Sequence, residues 1–156
     1  MKKYILFSVF ILLLSSIAVS KEEHYHLIVS GKDKTVYLDK QNFGCKFSED
    51  DMMDYYYVLI KTEFSNEAIQ EILEIRDKSG LIIKGYDKLK YTIEKRIYRS
   101  DQRLCIMEKK YFTKEGLVID TIKYSKQKWI DFSGNIFEGI IYDGIVVYDL
   151  FLNDKS

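Results

Sequence analysis

Two histidines are the residues of this sequence best suited to metal binding or acid–base catalysis. His24 and His26 are the only histidines in the chain. On a β-strand their spacing places both side chains on one face, where they could supply two metal ligands. A metal site needs at least a third ligand, and the sequence identifies none nearby. We therefore predict solvent-facing histidines on an edge strand and no metal site.

The two cysteines could form one disulfide bond. Cys45 and Cys105 are the only cysteines, and an oxidising compartment would favour a bond between them. That bond would close a loop of about 60 residues and contribute roughly 4 kcal/mol by restricting the unfolded chain. Two buried free thiols are the alternative, and the sequence does not choose between them. Neither cysteine lies in a recognisable nucleophile motif, so we predict no catalytic cysteine.

The common motifs of catalysis and cofactor binding are missing from the sequence. It contains no G-x-S-x-G, no H-E-x-x-H, no phosphate loop and no dinucleotide fingerprint. The acidic run Glu49-Asp50-Asp51 could attract Ca²⁺, but its spacing does not fit an EF-hand and a solvated loop explains it. We predict a protein that is not an enzyme, with no cofactor and no catalytic, cofactor-binding or metal-ligating residues.

The N-terminus has the three parts of a secretory signal peptide. Lys2 and Lys3 precede an apolar run over residues 4–14, and small residues follow at 18–20. This pattern predicts a signal peptide over residues 1–20, removed by cleavage. The alternative is an uncleaved anchor, but the run is shorter than the roughly 20 apolar residues that span a bilayer. We expect an exported protein, in the periplasm or secreted, whose mature chain has no membrane span.

The charge and length of the chain limit the classes of partner and the number of domains. The net charge is zero; without the two lysines of the signal peptide, 22 basic residues remain against 24 acidic ones, a net charge of −2. Binding to phosphate backbones requires a cationic surface, so we do not expect a nucleic-acid partner. The length indicates one domain, over residues 21–156.

Alternation of apolar and polar residues predicts the sheet that would position these groups. Residues 89–98, 103–112 and 117–124 follow the period of two that a strand with one dry face requires, and turn-forming residues separate them. We expect an antiparallel meander, because sequential strands usually pair.

The first part of the mature chain predicts three more strands. Residues 24–30 and 35–38 alternate in the same way, and a looser stretch follows over 39–54. Residues 55–64 predict a further strand, which is apolar on both faces near its middle and is therefore expected to be central. The sheet would then have about six strands.

Two segments fit either a helix or a hairpin. Residues 67–78 have helical spacing between a capping pair, Ser65-Asn66, and Gly80, so we predict a short mid-chain helix; a hairpin joining 72–75 to 81–83 is the alternative.

Residues 133–151 are similarly ambiguous. They could form a helix capped by Ser133 or a hairpin that turns at Asp143-Gly144.

The single tryptophan, Trp129, is interpreted as a core residue.

The order of these elements resembles a known family. Residues 36–39, then 57–60, then 98–119 with its Gly116, and finally Trp129-Ile130 are similar to the bacterial surface-adhesin protein E-like domain family. The resemblance covers about residues 25–148. It implies an antiparallel sheet of about six strands with a C-terminal helix, and it favours the helix over the hairpin for residues 133–151.

The sequence also departs from that family. Counting back from Gly116, Arg99 and Ser100 occupy the positions where the family often has Asp-Cys, and the C-terminal segment has no cysteine. The family therefore gives no support for a bond between Cys45 and Cys105. No cysteine lies near the predicted cleavage site, so we expect no lipid attachment there.

These observations together predict an α+β fold, with an antiparallel meander β-sheet, a short mid-chain helix and a C-terminal helix. The expected function is an exported, adhesin-like binding module that holds a protein partner through a sheet face or edge. The alternative is an envelope inhibitor or immunity-type protein that blocks a hydrolase or toxin. A homodimer through an exposed edge strand is compatible with both.

Overall fold

The structure is a computed structural model that describes residues 24–154; the predicted signal peptide lies outside the described residues. The strands in this part of the chain are β1 (Tyr25–Ser30), β2 (Lys34–Ser48), β3 (Met53–Phe64), β4 (Leu89–Arg99), β5 (Arg103–Thr113), β6 (Val118–Lys123) and β7 (Ile130–Asp131). The helices are α1 (Asn66–Lys78) and α2 (Ile136–Asn153), and a single 3₁₀ turn (Tyr86–Lys88) precedes β4.

The strands form one antiparallel sheet. β1 to β6 are neighbours in the order of the sequence, and β7 pairs with the beginning of β5. This is the predicted meander, with a short helix between β3 and β4 and a C-terminal helix after β7. The predicted α+β fold class is therefore confirmed.

β2 is much longer than the sequence indicated. The alternation predicted a strand over residues 35–38 and a looser stretch over 39–54. In the structure β2 continues to Ser48, and β3 already begins at Met53. The prediction of a loose stretch is therefore wrong for most of these residues.

A bulge explains the broken alternation in β2. The register between β2 and β3 shifts between Leu38 and Phe43. In the shifted segment the carboxylate of Asp39 accepts hydrogen bonds from the backbone N–H groups of Gln41, at 2.9 Å, and Asn42, at 3.3 Å. This local turn takes up the extra residues, so the strand resumes beyond it.

The predicted helix over residues 67–78 is confirmed as α1. The hydroxyl of Ser65 accepts a hydrogen bond from the backbone N–H of Ala68, at 3.2 Å, and so caps the helix. Gly80 follows the last turn with a φ of +65°, a conformation in which the helix cannot continue. The alternative hairpin is not formed.

The C-terminal segment folds as helix α2 and not as a hairpin. Its cap is Asn135, whose side-chain oxygen accepts a hydrogen bond from the backbone N–H of Glu138, at 3.1 Å. The sequence suggested Ser133 as the cap, and the observed cap lies two residues further along the chain. The residues of α2 that are buried against the sheet are Ile141, Ile145 and Tyr148.

Both α-helices pack on the same face of the sheet, which we call the helix face. α2 covers the main core, which includes Val36, Leu38, Val58, Ile60 and Leu104. α1 and the 3₁₀ turn cover a smaller cluster around Ile69, Tyr86 and Leu89. No helix of the described chain lies on the opposite face, which we call the open face.

The two cysteines are free and lie on opposite faces of the sheet. Cys45 is exposed and Cys105 is buried. Cys45 pairs with Tyr56, Tyr56 with Tyr98, and Tyr98 with Leu104, the neighbour of Cys105. Three strand spacings amount to about 14 Å, well beyond the roughly 7 Å over which a disulfide can join two Cα atoms. A bond between these cysteines does not form in this fold.

Candidate functional site

The open face contains a hollow of about 560 Å³ near the edge formed by β1. Six of its lining residues come from the first four strands: Tyr25, Leu27, Tyr37, Lys61, Glu63 and Tyr91. Lys114, from the turn between β5 and β6, lines it as well. The hollow therefore combines aromatic rings with charges of both signs.

Strand pairing brings these side chains together. Leu27 lies opposite Tyr37 across β1 and β2, and Tyr37 lies opposite Lys61 across β2 and β3. Glu63 lies opposite Tyr91 across β3 and β4. Residues opposite each other in antiparallel strands point to the same face and contact each other. The register of the meander thus brings together the lining residues that lie on strands.

Lys61 lies at the centre of the hollow. Its Nζ is 5.0, 5.5 and 4.9 Å from the ring centres of Tyr25, Tyr37 and Tyr91. The same Nζ is 2.6 Å from Oε1 of Glu63. A cation within about 6 Å of a ring face is attracted by the negative charge above that face. The lysine therefore holds three tyrosines around one positive charge.

Two tyrosines of the hollow, Tyr25 and Tyr91, are neutral hydrogen-bonding groups at ordinary pH. Burial raises the pKa of Tyr25, and the negative charges of Asp39 and Glu63 raise it further. Burial, followed by the charge of Glu63, also raises the pKa of Tyr91. Both phenols keep their protons, so each offers a hydroxyl donor and acceptor beside an apolar ring.

Further aromatic residues continue across the open face. Phe112 stacks on Tyr91, with ring centres 4.9 Å apart and planes 9° apart. In the middle of the face, Tyr57 is 42% exposed. It lines a second hollow of about 380 Å³, together with Leu59 and Lys95, beside the bulge of β2.

Trp129 belongs to the open face and not to the core. It is half-buried, and its ring centre lies 6.3 Å from that of Tyr55 and 5.1 Å from Cζ of Arg99. Phe132, which is only 4% exposed, takes the core position and packs against Tyr98. The interpretation of Trp129 as a core residue is therefore wrong.

The helix face contains a buried network of charged side chains between the sheet and α2. Nε of Arg96 lies 2.7 Å from Glu94, and Nη1 lies 2.9 Å from Glu138 of α2. The hydroxyl of Tyr98 is 2.6 Å from the same Nη1 and 2.9 Å from Glu138. Nζ of Lys109 lies 2.8 Å from the other oxygen of Glu94.

The charges of this network balance one another. Burial alone would raise the pKa of Glu94, but Arg96 and Lys109 lie so close that they hold its pKa below the ordinary value. Burial would also lower the pKa of Lys109, and the carboxylate of Glu94 raises it instead. The network holds the first turn of α2 against β4, so we assign it a structural role.

The histidines do not form a metal site with other residues of the described chain. His24 and His26 lie exposed at β1, and the ring of His26 is 5.0 Å from the ring of Tyr148. Within residues 24–154, no three histidine, cysteine or acidic side chains lie close enough to hold a metal ion.

The acidic run lies at the tip of the hairpin formed by β2 and β3. Glu49, Asp50 and Asp51 are exposed, and the neighbouring Met52 is 79% exposed. The hydroxyl of Tyr55 donates a hydrogen bond to Asp51, and this bond lowers the pKa of that carboxyl. The run is thus an exposed loop, held at one point to β3.

The residues of the hollow were not predicted from the sequence. Tyr25, Tyr37 and Tyr91 were assigned to strands as ordinary alternating residues, and Lys61 was not singled out. The sequence held one signal of this surface: the strand over residues 55–64 is apolar on both faces. In the structure the helices cover only one of these faces. An aromatic-rich second face of a sheet indicates a surface that binds something.

Comparisons with known proteins give no family for this chain. No family model, no curated protein and no solved structure matches it. The resemblance to the surface-adhesin protein E-like domain family therefore stays a prediction from short motifs. Neither helix of residues 24–154 is long and apolar enough to cross a membrane.

Proposed function

We propose that this chain is an exported, non-enzymatic binding module that holds a protein partner on the open face of its sheet. One observation carries the proposal: three tyrosines surround Lys61 on a face that neither helix covers. Tyrosine is enriched among the residues that contribute most to protein interfaces, because it offers a large ring and a polar tip.

The shape and composition of the open face favour a polypeptide partner over a small ligand. The aromatic residues extend beyond the hollow, through Tyr57 to Tyr55 and Trp129, so the aromatic surface is wider than the hollow itself. Small ligands are usually held in clefts that bury most of their surface. A wide aromatic face with a few charges resembles instead the centre and rim of a protein interface.

The predicted signal peptide supports a location outside the cytoplasm, in the periplasm or beyond it. The resemblance to an adhesin-like family points in the same direction. An exported binding module needs no catalytic set, and its partner would be another envelope or extracellular protein.

The test is a comparison of captured proteins. The purified protein is used as bait for envelope and extracellular proteins, beside a double variant, Tyr37→Ala with Tyr91→Ala. We expect at least one protein to bind the wild type reproducibly and to bind the double variant at least tenfold more weakly, because each large ring lost from an interface costs on the order of 1–2 kcal/mol.

The matched control is Tyr124→Ala, which removes a tyrosine that is 44% exposed beyond the end of β6 and not part of the hollow. This variant should bind the partner as the wild type does. Urea unfolding of each variant establishes that the fold is retained. A partner that binds the double variant and the wild type equally well would contradict the proposal.

The exposed hairpin tip favours a second candidate function, the inhibitor or immunity-type protein. Glu49, Asp50 and Asp51 could enter a basic active site of a hydrolase or toxin, as a protruding loop does in many inhibitors. Under this hypothesis the double variant Glu49→Lys with Asp50→Lys abolishes inhibition, while the double variant of the hollow has no effect. The two functions are thereby distinguished by one set of variants.

A further inference from the structure

β1 forms the less protected edge of the sheet. It has no charged residue and no proline between Tyr25 and Ser30, whereas β6 at the other edge carries Asp120 and Lys123. Exposed edges are usually protected by such residues, because free backbone groups can pair with another strand. β1 has only a bulge, at Ile28, and the strand before this bulge is regular.

Two residues of β1 turn their backbone groups outward. The N–H of Lys40 donates to the C=O of His24, at 2.8 Å, and this pair sets the alternation along the strand. His26 then bonds to β2, while the N–H and C=O groups of Tyr25 and Leu27 point away from the sheet. A second strand could accept and donate hydrogen bonds at both residues.

Helix α2 lies directly above this edge. It packs mainly on β1 and β2, and the ring of Tyr148 lies 5.0 Å from that of His26. A Cβ on Gly144 would lie only 2.6 Å from Cγ2 of Ile28, so the helix is very close to β1 there. Tyr142, on the other side of the helix, packs towards β3 and β4.

The side of α2 that lies beyond Gly144 is apolar and exposed. Ile140, Val147 and Phe151 are 43, 64 and 54% exposed. With Gly144 they follow the spacing of four, three and four residues that forms the contact seam of paired helices. The acidic residues of α2 lie off this seam. The seam projects past β1, because helical geometry places it on the side opposite Tyr142.

We propose that two copies of this chain pair through β1, about a two-fold axis at His26. Tyr25 of each copy then faces Leu27 of the other, and the outward N–H and C=O groups of these residues form four hydrogen bonds. The pairing ends where the bulge begins, at Ile28. Since β1 contains no Asp, Glu, Lys or Arg, no like charges of these residues meet across the axis.

The same axis brings the two α2 helices together. Adjacent strands are about 4.8 Å apart. A helix above the gap between β1 and β2 is therefore about 10 Å from its symmetry mate, close to the 8–10 Å separation of packed helices. Val147 lies next to the axis, and Phe151 of one copy is nearly level with Gly144 of the other, which has no side chain to obstruct it.

The pairing also changes the hollow of the open face. Tyr25 and Leu27 line that hollow and are the residues that pair. The hollows of the two copies therefore meet across the axis and form one cleft. The dimer can form without any other protein. It would double the face on which the proposed protein partner binds.

The protein is expressed with its predicted signal peptide and purified. The first test measures its mass by light scattering. We expect a dimer at micromolar concentration. The variant Val147→Asp should raise the dissociation constant at least tenfold. The control is Val118→Asp, at a residue of β6 that is 57% exposed; this variant should remain dimeric. A monomeric wild type at 200 µM, or dimers lost equally in both variants, would overturn the proposal.

The second test fixes the register. His26→Cys, combined with Cys45→Ser to remove the exposed thiol, places two thiols at the axis in a non-hydrogen-bonded pair. Cα atoms in such a pair are about 4.5 Å apart, which suits a disulfide. Mild oxidation should give a covalent dimer, and Thr121→Cys on β6 in the same background should not. Equal cross-linking of the two variants, or no cross-linking of His26→Cys, would contradict the proposed axis.

Discussion

The two faces of the sheet use charge in different ways. On the helix face, the side chain of Arg96 is 8% exposed and its donors contact two carboxylates and a tyrosine hydroxyl. On the open face, the side chain of Lys61 is 20% exposed and lies among three rings, with one carboxylate beside it. The first charge is satisfied within the fold. The second keeps part of its surface open to solvent.

The difference indicates how changes on each face should act. A buried charge that loses its partner stays buried without hydration, so removing that partner lowers the free energy of unfolding strongly. A charge or ring near solvent can be replaced at little cost to stability. Replacements of exposed residues on the open face are therefore expected to affect stability less than replacements in the buried network.

The largest expected effect is the removal of Arg96. Arg96→Met leaves Glu138 with one hydroxyl donor and Glu94 with Lys109 alone. We expect the free energy of unfolding, measured by urea denaturation, to fall by about 3–5 kcal/mol. The matched change on the open face is Lys61→Met, expected to alter stability by less than about 1 kcal/mol. Equal losses in the two variants would remove the distinction between the faces.

A smaller effect is expected from acid. The pKa of Glu94 is lower in the fold than its ordinary value of 4.5, because Arg96 and Lys109 outweigh burial. The unfolded chain therefore binds this proton more readily, and the stability that Glu94 supplies above about pH 4.5 is lost as the pH falls through the lowered pKa. The variant Glu94→Gln should lose less stability than the wild type between about pH 5 and pH 3. Parallel pH profiles would show that Glu94 is not paired as described.

The contact between α2 and β1 should be sensitive to a single methyl group. Gly144→Ala places a Cβ 2.6 Å from Ile28. Overpacking of this kind costs about 1–3 kcal/mol and outweighs the gain in helix propensity. Gly139→Ala in the same helix meets nothing within 4 Å; it should stabilise the protein, by up to about 1 kcal/mol. Thermal unfolding of the two variants, with shifts of opposite sign expected, checks this. Shifts of the same sign would contradict the close approach.

The helix face could be predicted from the sequence to a large extent. Alternation identified the meander, and helical spacing with Ser65 and Gly80 identified α1. Ile141, Ile145 and Tyr148 of α2 recur at the same helical spacing, and all three are buried. These patterns are local, because they repeat every two or every three to four residues. The bulge at Asp39 was missed, since it breaks that local pattern while long-range pairing with β3 continues.

The hollow could not be predicted, because it is a property of register. Tyr25, Tyr37, Lys61 and Tyr91 come from four strands and are far apart in the sequence. A shift of one residue in any pairing would move a side chain to the other face. The sequence showed that tyrosines are abundant, but not which of them are neighbours or which face the helices cover.

The smallest expected effect concerns Trp129 and tests whether the far end of the open face is arranged as described. Cζ of Arg99 lies 5.1 Å from the Trp129 ring, and Nη2 of Arg99 lies 2.9 Å from Asp101. Arg99→Met should change stability by less than about 1 kcal/mol but shift the emission of this only tryptophan, because the cation over the indole is lost. Arg103 contacts the same carboxylate, at 3.6 Å, and is not among the groups over the indole. Arg103→Met should therefore leave the emission unchanged, and a shift of equal size in both variants would mean that the emission reports on Asp101 and not on the open face.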